Sequence, residues 1–173
     1  MVNKIVKGFL EFQQYSSDQM FDKFLSLDNV ICICNPNVKK ERYLYRQGTA
    51  ENDVLLIAWT NDGLQNGNAN GYTNQMKREK HNTFIGESSN IRTGVDNKAG
   101  CAMLWTLRNF KYSLLVLNEP DGLDFFSKNK DLANKVIEHR FIIQLNQNGD
   151  LNSESIEQDT IEFKKTIMDS SNK

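Results

Sequence analysis

Apolar residues follow two rhythms along this chain. The continuous runs Val54-Leu55-Leu56-Ile57-Ala58-Trp59, Tyr112 to Leu117 and Arg140 to Leu145 predict strands, and the first, apolar on both sides, suits a strand covered on both faces. Val30 to Cys34 and Tyr43-Leu44-Tyr45 predict two more. The Asn35-Pro36-Asn37 turn signal between them implies an antiparallel edge to the sheet. Helical spacing appears at Met20, Phe21, Phe24, Leu25 and Leu27, behind the cap candidates Ser16-Ser17-Asp18, and at Met103, Leu104 and Leu107. It returns over about Phe125 to Glu138, and from Asp159 through Ile161, Phe163, Ile167 and Met168 to a frayed polar end at Ser170-Ser171-Asn172-Lys173. Strands alternating with helices predict βαβ crossovers and an α/β fold of three layers around a mixed, mainly parallel sheet. Ligands in such sheets lie beyond the carboxyl ends of the strands. Trp59, Asn61, Asp96, Glu119 and Asn146 are therefore expected to converge on one crevice.

Polar stretches separate these elements. Thr60 to Asn74 is rich in Asn, Gly, Asp, Gln and Thr with no apolar period, a long surface loop by pattern. Lys77-Arg78-Glu79-Lys80-His81 reads as a solvated turn with a surface histidine. The 173 residues are 39% hydrophobic and 25% charged, which fits one domain spanning 1–173. Basic and acidic residues balance to a net charge of -1, so charge nominates neither nucleic acid nor an anionic membrane surface. No apolar run reaches membrane-spanning length and Met1 to Leu10 does not resemble an export signal, so a cytoplasmic protein is expected. Three cysteines give no disulfide framework. Cys32 and Cys34 face one side of a strand and read as buried apolar residues; a zinc knuckle lacks its second half, since the two histidines are far away in sequence. Cys101 reads as a small core residue under a turn.

The stretch Gly94-Val95-Asp96-Asn97-Lys98-Ala99-Gly100, running into Cys101-Ala102-Met103-Leu104-Trp105, combines a glycine-bracketed loop with a helix start near Lys98. Its plain reading makes Asp96 the cap of that helix. The motif also resembles the segment of the di-zinc exopeptidases, the aminopeptidase, tripeptidase and carboxypeptidase clan, whose aspartate bridges two metal ions. The resemblance covers about Arg42 to Phe163, and it implies a zinc-exopeptidase domain, here lacking the C-terminal part. It places Trp59 and Asn61 on the positions of the first metal histidine and its orienting acid. It keeps the bridging acid as Asp96 and the general base position as Glu119. Pro120 then stands for one metal carboxylate and Asn146 for another, and no histidine follows His139 to serve as the distal ligand.

A co-catalytic zinc pair needs imidazole and carboxylate donors to fill both shells and acidify a bridging water. One bridging aspartate cannot hold two zincs. The resemblance so read implies a catalytically inactive chain with no cofactor, where the family would use two zinc ions. The expected role is a binding or regulatory module taking an unknown protein or a peptide-like ligand. The alternatives are a hydrolase of altered chemistry, using Cys101 or a single metal at Asp96 and Glu119, and an assembly partner. An uncovered sheet edge gives the expectation of a homodimer.

Overall fold

The computed structural model describes residues 2–34, 42–50, 53–60, 76–78, 84–86, 95–118, 126, 129–145 and 153–171. Helices α1 (Val2–Gln13) and α2 (Ser17–Leu25) open the chain and lead into strands β1 (Ile31–Cys34), β2 (Arg42–Arg46) and β3 (Val54–Trp59). A small antiparallel pair, β4 (Met76–Arg78) and β5 (Phe84–Gly86), precedes helix α3 (Val95–Leu107) and strand β6 (Ser113–Leu117). Helix α4 (Lys130–Ile137), strand β7 (Phe141–Gln144) and helix α5 (Ser153–Ser171) complete the chain.

Five strands form one mixed sheet in the order β1-β2-β6-β3-β7. β1 and β2 pair antiparallel, as do β2 and β6, whereas β3 runs parallel to both β6 and β7. The antiparallel edge and parallel core expected from the sequence are both present. β6 is buried along its whole length and β3 over Leu55 to Ala58, which is why both read as unbroken apolar runs.

Alternate residues divide the core in two. Leu56, Ala58, Leu114 and Val116 face α1, α2 and α3 through Phe12, Met20, Phe21, Phe24, Cys101, Ala102 and Leu104. Leu55, Ile57, Leu115 and Leu117 face the other way, onto Phe126, Leu132, Ala133 and Val136 near and within α4 and onto Phe163 and Ile167 of α5. The result is the three-layer α/β/α arrangement that the alternation of elements predicts. Helix α2 starts where the sequence places it: Ser16 Oγ accepts from Gln19 N at 3.3 Å while Ser16 N donates to Gln19 Oε1 at 2.9 Å, a reciprocal cap. Aromatic rings lock the three helices of this face together, with Phe24 edge-on to Trp105 at 5.5 Å and Phe12 at 6.4 Å from the same indole.

Several expectations are corrected. α1 lies outside the expected elements, although Val2, Ile5, Val6, Phe9 and Leu10 fall at helical spacing; Phe12 near its end is fully buried. α3 begins at Val95, three residues before Lys98, and Met103 on it is 43% exposed rather than packed. Lys77 and Arg78 lie in strand β4, not in a turn, because backbone pairing with Phe84 and Ile85 of β5 outweighs their charge. α5 starts at Ser153, well before Asp159, and exposes Ile161 and Met168 while burying Phe163 and Ile167. Cys34 is exposed and Cys32 half-buried, since their strand is the sheet's edge and little packs over its end. Asn61 to Asn74, Lys80 and His81 lie outside the described residues. No described helix is long and apolar enough to cross a membrane.

Candidate functional site

Connectivity fixes where this sheet gathers chemistry. The chain leaves β3 to form α3 on one face and leaves the neighbouring strand β6 to form α4 on the other, so adjacent parallel strands send their connections to opposite sides. Their carboxyl ends thus form a topological switch point, the place where such sheets gather their ligands. The first residues past the two strands, Thr60 and Asn118, stand there side by side: Thr60 N donates to Leu117 O at 2.8 Å and Asn118 N to Arg42 O at 3.2 Å.

Their side chains join. Thr60 Oγ1, fully buried, donates to Asn118 Oδ1 at 2.6 Å, and Ser17 Oγ at the start of α2 donates to the same oxygen at 2.5 Å. One amide carbonyl thereby accepts two hydroxyl protons and ties the N-terminal helices to the ends of β3 and β6. Beside them the first turns of α3 lie over the end of β3, held by Cys101 Sγ donating to Trp59 O at 3.3 Å. Lys98, 6% exposed, extends its Nζ to Gln13 O at 3.0 Å. The Gln13 side-chain amide is 2% exposed, and neither its oxygen nor its nitrogen has a hydrogen-bond partner among the described residues.

Of the five residues expected in the crevice, Asn61, Glu119 and Asn146 lie outside the described residues. The positions directly before them, Thr60, Asn118 and Leu145, are brought to the same end of the sheet, Leu145 N donating to Ile57 O at 2.9 Å. Trp59 ends β3 with its side chain half-buried against the α4 and α5 face, opposite to the face of Thr60. Asp96 is the second residue of α3 and so cannot be its cap, because the helix starts upstream of where the sequence suggested. Position still favours an acid there, within the first turn of a helix.

Three of the described side chains at this end of the sheet are not zinc ligands, and the side chain of Asp96 is not among those described. Trp59 offers no metal-binding atom, and Thr60 and Asn118 offer a hydroxyl and an amide already joined to each other. No three His, Cys, Asp or Glu side chains among the described residues come together at metal-binding distance. Cys101 is fully buried and its burial pushes the thiol well above its ordinary range, so it is a packing residue and not a nucleophile. Sequence reading passed over Ser17, Thr60, Asn118 and Gln13. Two of them carry a signal in the sequence, since Thr60 and Asn118 directly follow apolar strand runs, one position before Asn61 and Glu119.

No family model matches this chain, and no curated protein matches it. Solved structures do. The chain is similar to the aminopeptidase PepT of Bacillus cereus ATCC 10987, with 15% identity and a TM-score of 0.54 over 85% of this chain and 44% of that one. It is also similar to a tripeptidase of Staphylococcus aureus subsp. aureus Mu50, with 15% identity and a TM-score of 0.56 over 86% of this chain and 44% of that one. The fold is therefore that of these peptidases, in a chain spanning less than half the length of either.

Proposed function

We propose that this chain is a binding module on a peptidase-like scaffold, without zinc chemistry of its own, that takes a peptide-like ligand at the carboxyl ends of β3 and β6. One observation carries the reading. At the switch point, where such a fold gathers its chemistry, the side chains that meet are the hydroxyls of Ser17 and Thr60 and the amide of Asn118, with Lys98 and the Arg42–Asp18 ion pair nearby. Thr60 is fully buried and the Asn118 carbonyl is already taken by two hydroxyls, so these neutral groups shape the floor of the site and leave contact with a neutral polar partner such as a peptide backbone to the half-buried Ser17; they supply neither a metal shell nor a general base. That the two similar structures are named for an aminopeptidase and a tripeptidase supports a peptide-like ligand over other neutral polar ones. The hydrolase alternative that relied on Cys101 has no support from a thiol so deeply buried.

The test combines metal, turnover and binding. Protein reconstituted with zinc and dialysed should retain no stoichiometric metal, and it should hydrolyse neither tripeptides nor aminoacyl anilides. Titration with short neutral peptides should shift the backbone amide resonances of Thr60 and Asn118, with smaller effects in Asn118→Ala. Zinc retained at two equivalents with chelator-sensitive peptide hydrolysis would overturn the reading.

A further inference from the structure

The edge strand β1 carries Cys32 and Cys34 on the same side of the sheet, with their sulfurs 3.6 Å apart. Cys34 is exposed and Cys32 half-buried against the core under α2. Ordinary packing does not require this arrangement. Side chains two apart on a strand are separated by about 6.6 Å along it, so these two lean toward each other to bring their sulfurs into contact. A metal needs more than two donors here, and none of the described His, Cys, Asp or Glu side chains completes a set of three. Two-electron oxidation needs only the pair.

We infer that Cys32 and Cys34 form a reversible dithiol–disulfide site that is closed by exchange with a small-molecule disulfide such as oxidised glutathione. Cys34, the accessible sulfur, attacks as thiolate. It forms a mixed disulfide and releases the first small thiol. Cys32, already 3.6 Å away, then attacks the Cys34 sulfur and expels the second. Both cysteines lose one proton and one electron each, and the small disulfide is reduced to two thiols. Burial and the neighbouring Cys34 thiol push Cys32 up to about 11, which makes it the slower, resolving partner.

Closure must deform the strand. A disulfide draws its Cβ atoms to about 3.8 Å, far less than two residues of extended strand allow, so the backbone has to pucker at Ile33. Ile33 pairs with Tyr43 of β2, and β1 has no second neighbour among the described residues. Within one chain the distortion is thus confined to one ladder, and the β2-β6-β3-β7 core stays paired. A disulfide strained in this way is easily reduced, which suits a switch better than a staple.

The experiment exposes the full chain to glutathione buffers of rising oxidised fraction, then blocks free thiols and maps them by mass spectrometry. The expected product has lost two hydrogens, with a Cys32–Cys34 bond and a free Cys101, and it reverts when reduced glutathione is added. Cys32→Ser should stop at a glutathione adduct on Cys34, and Cys34→Ser should stay largely unmodified. Hydrogen exchange on the oxidised protein should quicken at the β1–β2 ladder and not within β3 and β6. A wild-type protein that accumulates the Cys34 adduct without closing, that links chains through Cys34, or that oxidises with no change in β1 exchange would overturn the proposal.

Discussion

At the scale of the residue, Asn118 decides how the candidate site is held. Its single carbonyl oxygen receives protons from Thr60 and Ser17, whose partners lie 58 and 101 residues away along the chain. Removing that oxygen leaves the fully buried Thr60 hydroxyl to fall back on Leu117 O at 3.5 Å, too long for a good hydrogen bond. Asn118→Ala should therefore cost about 1–3 kcal/mol in urea unfolding. Thr60→Val removes the donor instead, and the double variant should lose less than the sum of the singles, because both remove the same bond. His139 makes a second residue-scale statement. It is fully buried, with Nδ1 donating to Lys135 O at 2.9 Å and its ring edge-on to Tyr45, and Nε2 has no partner among the described residues. Burial lowers its pKa below the ordinary value, so the folded protein keeps it neutral. The unfolded chain takes up the proton below about 6.5 and the folded one does not, so stability should fall as pH drops from there through the folded pKa. The loss has a limiting slope of about 1.4 kcal/mol per pH unit. Comparing unfolding midpoints of wild type and His139→Gln across that range isolates the effect, and parallel curves would show that His139 does not titrate in folding.

Elements show which parts of the sequence speak for themselves. Ser16 caps α2 through a contact three residues long, a local pattern that any reader of Ser-x-x-Gln before Met20 and Phe21 can find. Ser16→Ala should lower stability by about 0.5–2 kcal/mol, read as a shifted urea midpoint with an unchanged slope. β3 and β6 were equally legible, because burial on both faces leaves no polar interruption. The β4–β5 pair was not. α1 is legible in its own window, with Val2, Ile5, Val6, Phe9 and Leu10 at helical spacing, and contact of Phe12 with Phe24 and Trp105 fixes where it packs. Lys77 and Arg78 look like solvent-facing turn residues until the partner strand is known, since pairing is a property of two segments together. The start of α3 was misread for a related reason. Val95-Asp96-Asn97 has little helical preference, yet all three sit in its first turn, where acids and amides are tolerated. The order and direction of the strands, and with them the end of the sheet where β3 and β6 finish, follow from the alternation of elements, whereas the Ser17–Thr60–Asn118 contact has no local signature.

For the whole molecule, the two edges of the sheet are managed differently, and this bears on self-association. The outer edge of β7 is closed by α5: Thr160, 4% exposed, accepts from Ile142 N at 2.9 Å and donates to Ile156 O at 2.6 Å within its own helix. A strand whose outward N–H is already satisfied by a side chain offers little to a second chain. Thr160→Val should leave the buried Ile142 amide unpaired, at a cost of about 1–3 kcal/mol. β1 is different. Among the described residues it pairs with β2 alone, and it exposes Ile31 and Ile33, at 45% and 38%, on the side away from its cysteines. The homodimer expected from the sequence is on this reading a pairing of β1 with β1, not a covering of β7. Sedimentation equilibrium at micromolar concentration should then give a mass above the 19.9 kDa of one chain. Ile33→Lys, which places a charge on the exposed edge without touching the core, should return it to the monomer while leaving the urea midpoint of the diluted protein unchanged. A mass of 19.9 kDa for the wild type would remove the dimer proposal. A dimer that survives Ile33→Lys would move the interface away from β1.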